Sequence, residues 1–252
     1  MPNRQKDVLL ETLYSAAFPL ISFIVPAHNE SQLLGSTLAS IHEAAGRCGQ
    51  HYEIVVVNDS STDDTGQIAE RMRAQVVDVD YKHISATRNA GARAAKGEFL
   101  IFVDADTHVE GVLLNAALHT LWRGAVGGGA AVSLRGQPTR WERATVSLLC
   151  HAFRWTKIAP GCFLFCTRAA FERVGGFDET LFAAEDVMMS KSLASVGTFT
   201  ILREKAHTSD RKMRTHGVRS HLKLFRHYFR HGKGILRDRK HLDLWYGERK
   251  HS

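Results

Sequence analysis

The 252-residue chain is long enough for one α/β domain with a sizeable core, and 44% hydrophobic with 23% charged residues is near the globular average. That balance excludes wholesale disorder, collagen and coiled coil. Uncharged apolar stretches such as Ala144 to Cys150 and Gly161 to Cys166 fall short of the roughly 20 residues a spanning helix needs, so no transmembrane helix is expected. The N-terminal stretch MPNRQKDVLLETLYSAAFPL lacks a secretory pattern, and the expected location is cytoplasmic. Cys48, Cys150, Cys162 and Cys166 contain no C-x-x-C pair and read as buried thiols. The net charge of +7 is uneven: residues 203–252 hold 15 Lys/Arg against 5 Asp/Glu, while the rest is slightly acidic. A basic tail of this kind points to an anionic partner.

Short β-rich runs alternate with helix-like segments, which predicts a mostly parallel, Rossmann-like α/β sheet flanked by helices. In chain order the predicted strands are Leu20 to Val25, Glu53 to Asn58, Gln75 to Val79 and Glu98 to Val103. Helical spacing covers 31–45, 63–73 and 86–96. Ser61 and Thr62 are placed as caps, with Asp63 and Asp64 in a first helical turn. Gly124 to Gly129 (GAVGGG) marks a break, so 20–125 reads as a nucleotide half and 126–202 as an acceptor half. There, Gly161 to Cys166 is an apolar segment, a helix lies near Thr167 to Val174, Gly175-Gly176 is a turn, and a helix starts near Glu185. In the tail, 203–252, Val218, Leu222, Phe225 and Phe229 form one apolar stripe of a basic amphipathic helix.

Polar residues gather after three predicted strands: Pro26-Ala27-His28-Asn29-Glu30, Asp59, and Asp104-Ala105-Asp106. Open parallel sheets bind ligands at that carboxyl edge. Asp104 and Asp106 follow the apolar run FLIFV, and carboxylates so close repel unless a cation sits between them. Hard ions such as Mg²⁺ or Mn²⁺, held by one or two carboxylates plus substrate phosphates, suit this pair. A diphosphate-bearing substrate follows.

With these segments the sequence resembles glycosyltransferase family 2, the nucleotide-sugar-dependent enzymes of the GT-A fold. The likeness is collinear: SFIVPAHNE, EIVVVNDSSTDDTG, RNAGARAAKGEFLIFVDADT and GGFDETLFAAEDVMMSKSLASVG, together about residues 20–200. The resemblance implies Pro26, His28 and Glu30 around the nucleoside and Asp59 on a uracil-like base, although Asp59 is equally a turn residue. It puts Arg88 near the donor diphosphate, against the plainer reading of a helix-surface arginine. Asp104 would meet the ribose or the metal, and Asp106 the metal. Asp186 would be the general base, with Glu185 orienting it or the acceptor, so that the sugar inverts in a single displacement. A later histidine completes the metal shell in the family; His207 and His216 both stand in position, and Arg211, Lys212 and Arg214 could instead serve the diphosphate.

The block after Asp186 has no Q-x-x-R-W, which argues against a processive synthase. The resemblance implies an acceptor hydroxyl, lipid-linked in many related enzymes. The tail admits contact with anionic lipid at a membrane's inner face, an arm over the donor, or ordinary packing. Two other classes compete. A nucleic-acid-binding protein would use the basic tail with Phe225, Tyr228 and Phe229, but its strand-edge acids would repel a polyanion. A nucleotidyltransferase would need a glycine-rich loop that Pro26 to Glu30 lacks.

Overall fold

The computed structural model describes residues 20–135 and 156–209. The N-terminal stretch through residue 19, Ala144 to Cys150, the tail helix, His216, Arg211, Lys212 and Arg214 lie outside the described residues. Eight strands form one sheet: β1 Ile21–Ala27, β2 Tyr52–Asp59, β3 Gln75–Val79, β4 Phe99–Val103, β5 Thr107–His108, β6 Gly127–Arg135, β7 Phe163–Thr167 and β8 Phe199–Ser209. Among the described residues six helices accompany them: α1 Leu34–Cys48, α2 Thr65–Arg71, α3 Ile84–Ala94, α4 Gly111–Trp122, α5 Arg168–Arg173 and α6 Glu185–Val196. None of these helices is long and apolar enough to cross a membrane.

The sheet order is β3-β2-β1-β4-β7-β6-β8-β5. The first four strands are parallel, as predicted, with Phe23 opposite Ile54 and Ile101. β7 then runs antiparallel to β4 and β6, while β6 and β8 are parallel. Strand order reverses between β1 and β4, and a crevice opens at such a reversal beyond the carboxyl ends.

Alternation along the strands explains the layers. Phe23, Val25, Ile54, Val56, Ile101 and Val103 pack with the apolar stripes of α1 and α4, including Leu38, Ile41, Leu114 and Leu118. The intervening Ile24, Val55, Val57, Leu100 and Phe102 face α3, α5 and α6 through Ala90, Phe171 and Leu193. Both faces are thus covered, which is why these strands read as continuous apolar runs.

Several predicted boundaries move. β1 extends through Pro26 and Ala27, because its pairing with β4 ends at Ile24 and the missing proline N–H breaks no bond there. α1 begins at Leu34, after a turn in which the Glu30 carbonyl accepts from Leu33 and Leu34. Asp63 and Asp64 stand before α2 rather than in its first turn, and Asp63 accepts the Thr65 amide at 3.1 Å.

Gly124, at φ 87°, turns the chain after α4, whereas Gly127 to Gly129 of the same run are strand β6. A Cβ on Gly128 would lie 2.2 Å from the Thr200 carbonyl, and one on Gly129 2.3 Å from the Ala159 methyl, so glycine is what lets these segments close up. β8 runs on to Ser209, so 203–209, read with the tail, belong to the sheet. Cys162 and Cys166 are buried as expected, Cys48 only partly.

Candidate active site

The loops after β1 and β2 are stitched together. Asn29, in the left-handed region at φ 52°, donates its amide to Ser61 Oγ at 3.0 Å, while its side-chain oxygen accepts the Thr62 amide at 2.8 Å. Ser61 and Thr62, predicted as helix caps, are spent here instead. The Glu30 amide donates to Thr65 Oγ1 at 2.8 Å. His28 Nδ1 lies 2.6 Å from the Asp59 carbonyl, an acceptor, so the ring donates from Nδ1. His28 and Glu30 follow the carboxyl end of β1, Glu30 buried, and Pro26 is buried within the strand.

Asp59 is buried and its carboxylate is a hub. Oδ1 accepts the amides of Tyr81 and Lys82, both at 2.9 Å. Oδ2 accepts the Thr87 hydroxyl at 2.7 Å and the His83 amide at 3.3 Å. The turn role of Asp59 is therefore physical: it shapes the loop between β3 and α3. His83 begins that helix, its ring accepting the Ala86 amide at 3.4 Å and lying 4.4 Å from the ring of Phe182.

Arg88 is buried in α3, not on a helix surface. Nη1 donates to Glu185 Oε1 at 2.8 Å, and Nη2 donates to Asp104 Oδ1 at 3.1 Å and the Gly161 carbonyl at 2.8 Å. Its guanidinium carbon stands 5.3 Å from the centre of the Phe177 ring, which packs edge-on against Phe102 at 5.0 Å. Burial alone would lower the Arg88 pKa, but Glu185, Asp104 and Asp186 more than reverse this and hold it above its ordinary value.

Glu185 and Asp186 open α6 after Ala184, which is left-handed at φ 59°. Burial, then the Glu185 charge, pushes the Asp186 carboxyl up to about 7, against the pull of Arg88 and of the Val187 amide, which donates to Oδ1 at 2.8 Å. Asn89 holds the preceding turn: Oδ1 accepts the Phe177 amide at 2.9 Å and Nδ2 donates to the Phe177 carbonyl at 2.9 Å. Gly176, at φ 77°, must be glycine, since a Cβ there would press on Asn89 Oδ1 at 2.8 Å.

Asp106 is buried beside the end of β8. Thr208 Oγ1 donates to its Oδ1 at 3.3 Å, and its carbonyl accepts the Ser209 amide at 3.2 Å. His207, expected to complete a metal shell, lies with Nε2 3.3 Å from Glu110, while its neighbour Thr208 faces Asp106, as alternation along a strand dictates.

Asp104 and Asp106 supply only carboxylate oxygens, the donors that Mg²⁺ and Mn²⁺ prefer, and among the described residues no three His, Cys, Asp or Glu are arranged to hold a metal ion by themselves. The pair fits an ion that takes its remaining ligands from substrate phosphates or water.

Sequence reading missed Thr87, Asn89, Gly161 and Thr208. The first two flank Arg88 in ATRNAG, where neighbours of a candidate residue merit the same scrutiny. Gly161 and Thr208 carry no local signal.

A three-layer sandwich with an acidic pair after its fourth strand and a second acid pair opening a helix across the crevice defines the GT-A class. The glycosyl transferase family 2 model matches residues 22–178, and the chain belongs to that family. The dolichyl-phosphate beta-glucosyltransferase ALG5C of Trichomonas vaginalis is 30% identical over 123 residues, 42% of this chain and 34% of that protein. TarS of S. aureus, solved in complex with UDP-GlcNAc, matches at TM-score 0.58 and 22% identity, over 75% of this chain and 58% of the other. The mannosyltransferase PcManGT of Pyrobaculum calidifontis, solved with GDP-Man and Mn²⁺, matches at 0.61 and 23%, over 86% and 66%. At these identities the two structures establish the fold. The chain spans less than half the length of the curated relatives it matches.

Proposed function

We propose that this chain is an inverting, non-processive glycosyltransferase that moves a sugar from a nucleoside diphosphate sugar to an acceptor hydroxyl. The observation that carries the reading is the placement of the acid pair: Glu185 and Asp186 open α6, and Arg88 bridges Glu185 to Asp104 after β4, while burial and the Glu185 charge push the Asp186 carboxyl up, as suits a general base near neutral pH. Asp186 takes the proton of the acceptor hydroxyl as that oxygen attacks the anomeric carbon. One base and one leaving group suffice, so no sugar–enzyme bond forms and configuration inverts. Asp104 and Asp106 would hold a divalent cation, Mn²⁺ or Mg²⁺, which when bound neutralises charge on the departing nucleoside diphosphate.

His28 and Glu30 flank the nucleoside. Uridine is the favoured base, through Asp59 at the floor of the base site. The basic tail, and the dolichyl phosphate in the name of one relative, make lipid-linked acceptors at an anionic membrane surface the first to try.

The test is release of free nucleoside diphosphate from UDP-GlcNAc and GDP-mannose with Mn²⁺. Wild type should release one of them, Asp106→Ala should lose metal-supported donor binding, and Asp186→Asn should bind but not turn over. Unchanged release in both variants would overturn the roles.

A further inference from the structure

We infer that Arg88 is a positioning residue for the acid pair Glu185 and Asp186, and not a ligand of the donor diphosphate. The inference rests on the glycosyltransferase reading and deepens it.

A phosphate-binding arginine needs guanidinium donors directed at the ligand. Arg88 directs its own into the protein: its side chain is 4% exposed, Nη1 is taken by Glu185, and Nη2 is shared by Asp104 and the Gly161 carbonyl. Nε is buried with no hydrogen-bond partner among the described residues. One face lies against Phe177. A buried cation is tolerated when charges and hydrogen bonds around it are matched, and three acids surround this one.

The bonds span four separate pieces of chain. Arg88 stands on α3, Asp104 follows β4, Gly161 precedes β7, and Glu185 opens α6. Asp186 is the next residue on the same helical turn, so holding Glu185 anchors the helix start from which Asp186 projects, and the Val187 amide then holds its Oδ1 at 2.8 Å. The Gly161 side of the clamp is close: a Cβ there would lie 3.0 Å from Asp186 Oδ2 and 3.4 Å from Arg88 Nη2, so both would have to give by a few tenths of an ångström. Arg88 thereby sets the distance between the donor corner at Asp104 and the base at Asp186. Lysine, a single point charge, cannot hold three acceptors in that fork.

The experiment compares wild type, Arg88→Lys and Arg88→Gln. It measures release of UDP or GDP from UDP-GlcNAc and GDP-mannose with Mn²⁺, binding of UDP and GDP by calorimetry, and fold by circular dichroism. Arg88→Gln should lose about 100-fold or more in kcat, with donor KM and nucleoside diphosphate affinity within about 3-fold of wild type. Its rising pH limb should move upward, because the lost cation opposes protonation of Asp186. Arg88→Lys, keeping the charge, should lose rate but leave the limb near that of wild type. A fall of about 10-fold or more in nucleoside diphosphate affinity, with kcat regained at saturating donor, would overturn the inference and make Arg88 a donor ligand. If Arg88→Gln fails to fold, the same split in Arg88→Lys decides. Release from neither donor by wild type overturns the functional reading and the inference with it; release by wild type with ligand-like variants overturns the inference alone.

Discussion

The Thr87 hydroxyl donates to Oδ2 of Asp59 at 2.7 Å, tying the first turn of α3 to the end of β2. The same oxygen lies 2.8 Å from the His83 carbonyl, so the one hydroxyl proton is shared between the helix start and the loop before it. Thr87→Val removes a hydrogen bond to a charged group, worth about 1.5–3 kcal/mol, and should lower the melting temperature by several degrees. Differential scanning calorimetry checks this.

Asp59→Asn separates two roles for one carboxylate. As an organiser of the 80–83 loop, Asp59 supports every nucleotide alike, and the variant should weaken UDP, GDP and CDP by similar factors. As the acceptor of a base N–H, it should weaken UDP selectively, by about 10-fold for one charged hydrogen bond. Calorimetric titration of the three diphosphates gives the ratio.

Gly128→Ala tests the tight seam between β6, β7 and β8. The added methyl would stand 2.2 Å from the Thr200 carbonyl and 2.5 Å from Phe165 Cζ, so backbone must shift. Overpacking of this kind costs about 1–3 kcal/mol, and the melting temperature should fall while nucleoside diphosphate affinity holds.

That seam also marks where sequence reading stops. The parallel half was legible because its strands are buried on both faces and its crossover helices carry regular apolar stripes, as Leu34, Leu38 and Ile41 show. Asp104 and Asp106 stood out by their place after a strand, and Glu185 and Asp186 by their resemblance to the family's E-D pair at a helix start. The glycine strand was not, since composition reports that glycine bends but not that a neighbour's carbonyl requires its absence of side chain. Nor was the pairing of His207 with Glu110, which follows from which face of β8 each residue takes. Arg88 was found by position, but its partners were not, because they lie in segments far along the chain.

Asp106→Ala addresses the cation. A ligand that binds only the folded state at 100 times its Kd adds about 2.7 kcal/mol of stability. Wild type should gain several degrees with UDP or GDP plus Mn²⁺, and the variant should lose the part of that gain that depends on Mn²⁺. A metal-dependent shift of the same size in both would remove Asp106 from the site.

The pH dependence of turnover follows from Asp186. With its carboxyl near 7 in the fold and an ordinary 3.8 otherwise, the folded chain binds more protons than the unfolded one between those values. Stability from this group is therefore greatest at low pH and falls as pH rises through that window to about 7, where the folded group has also ionised. Activity runs the other way, because only the ionised carboxylate accepts the acceptor's proton, so kcat/KM should rise with pH through about 7 and then level. Asp186→Asn should flatten both curves at once: turnover drops by about 10²–10⁴-fold at every pH, and the melting temperature no longer declines between pH 4 and 7 on account of this site. A rising limb that survives in Asp186→Asn would assign the base to another residue, with Glu185→Gln the next variant to measure.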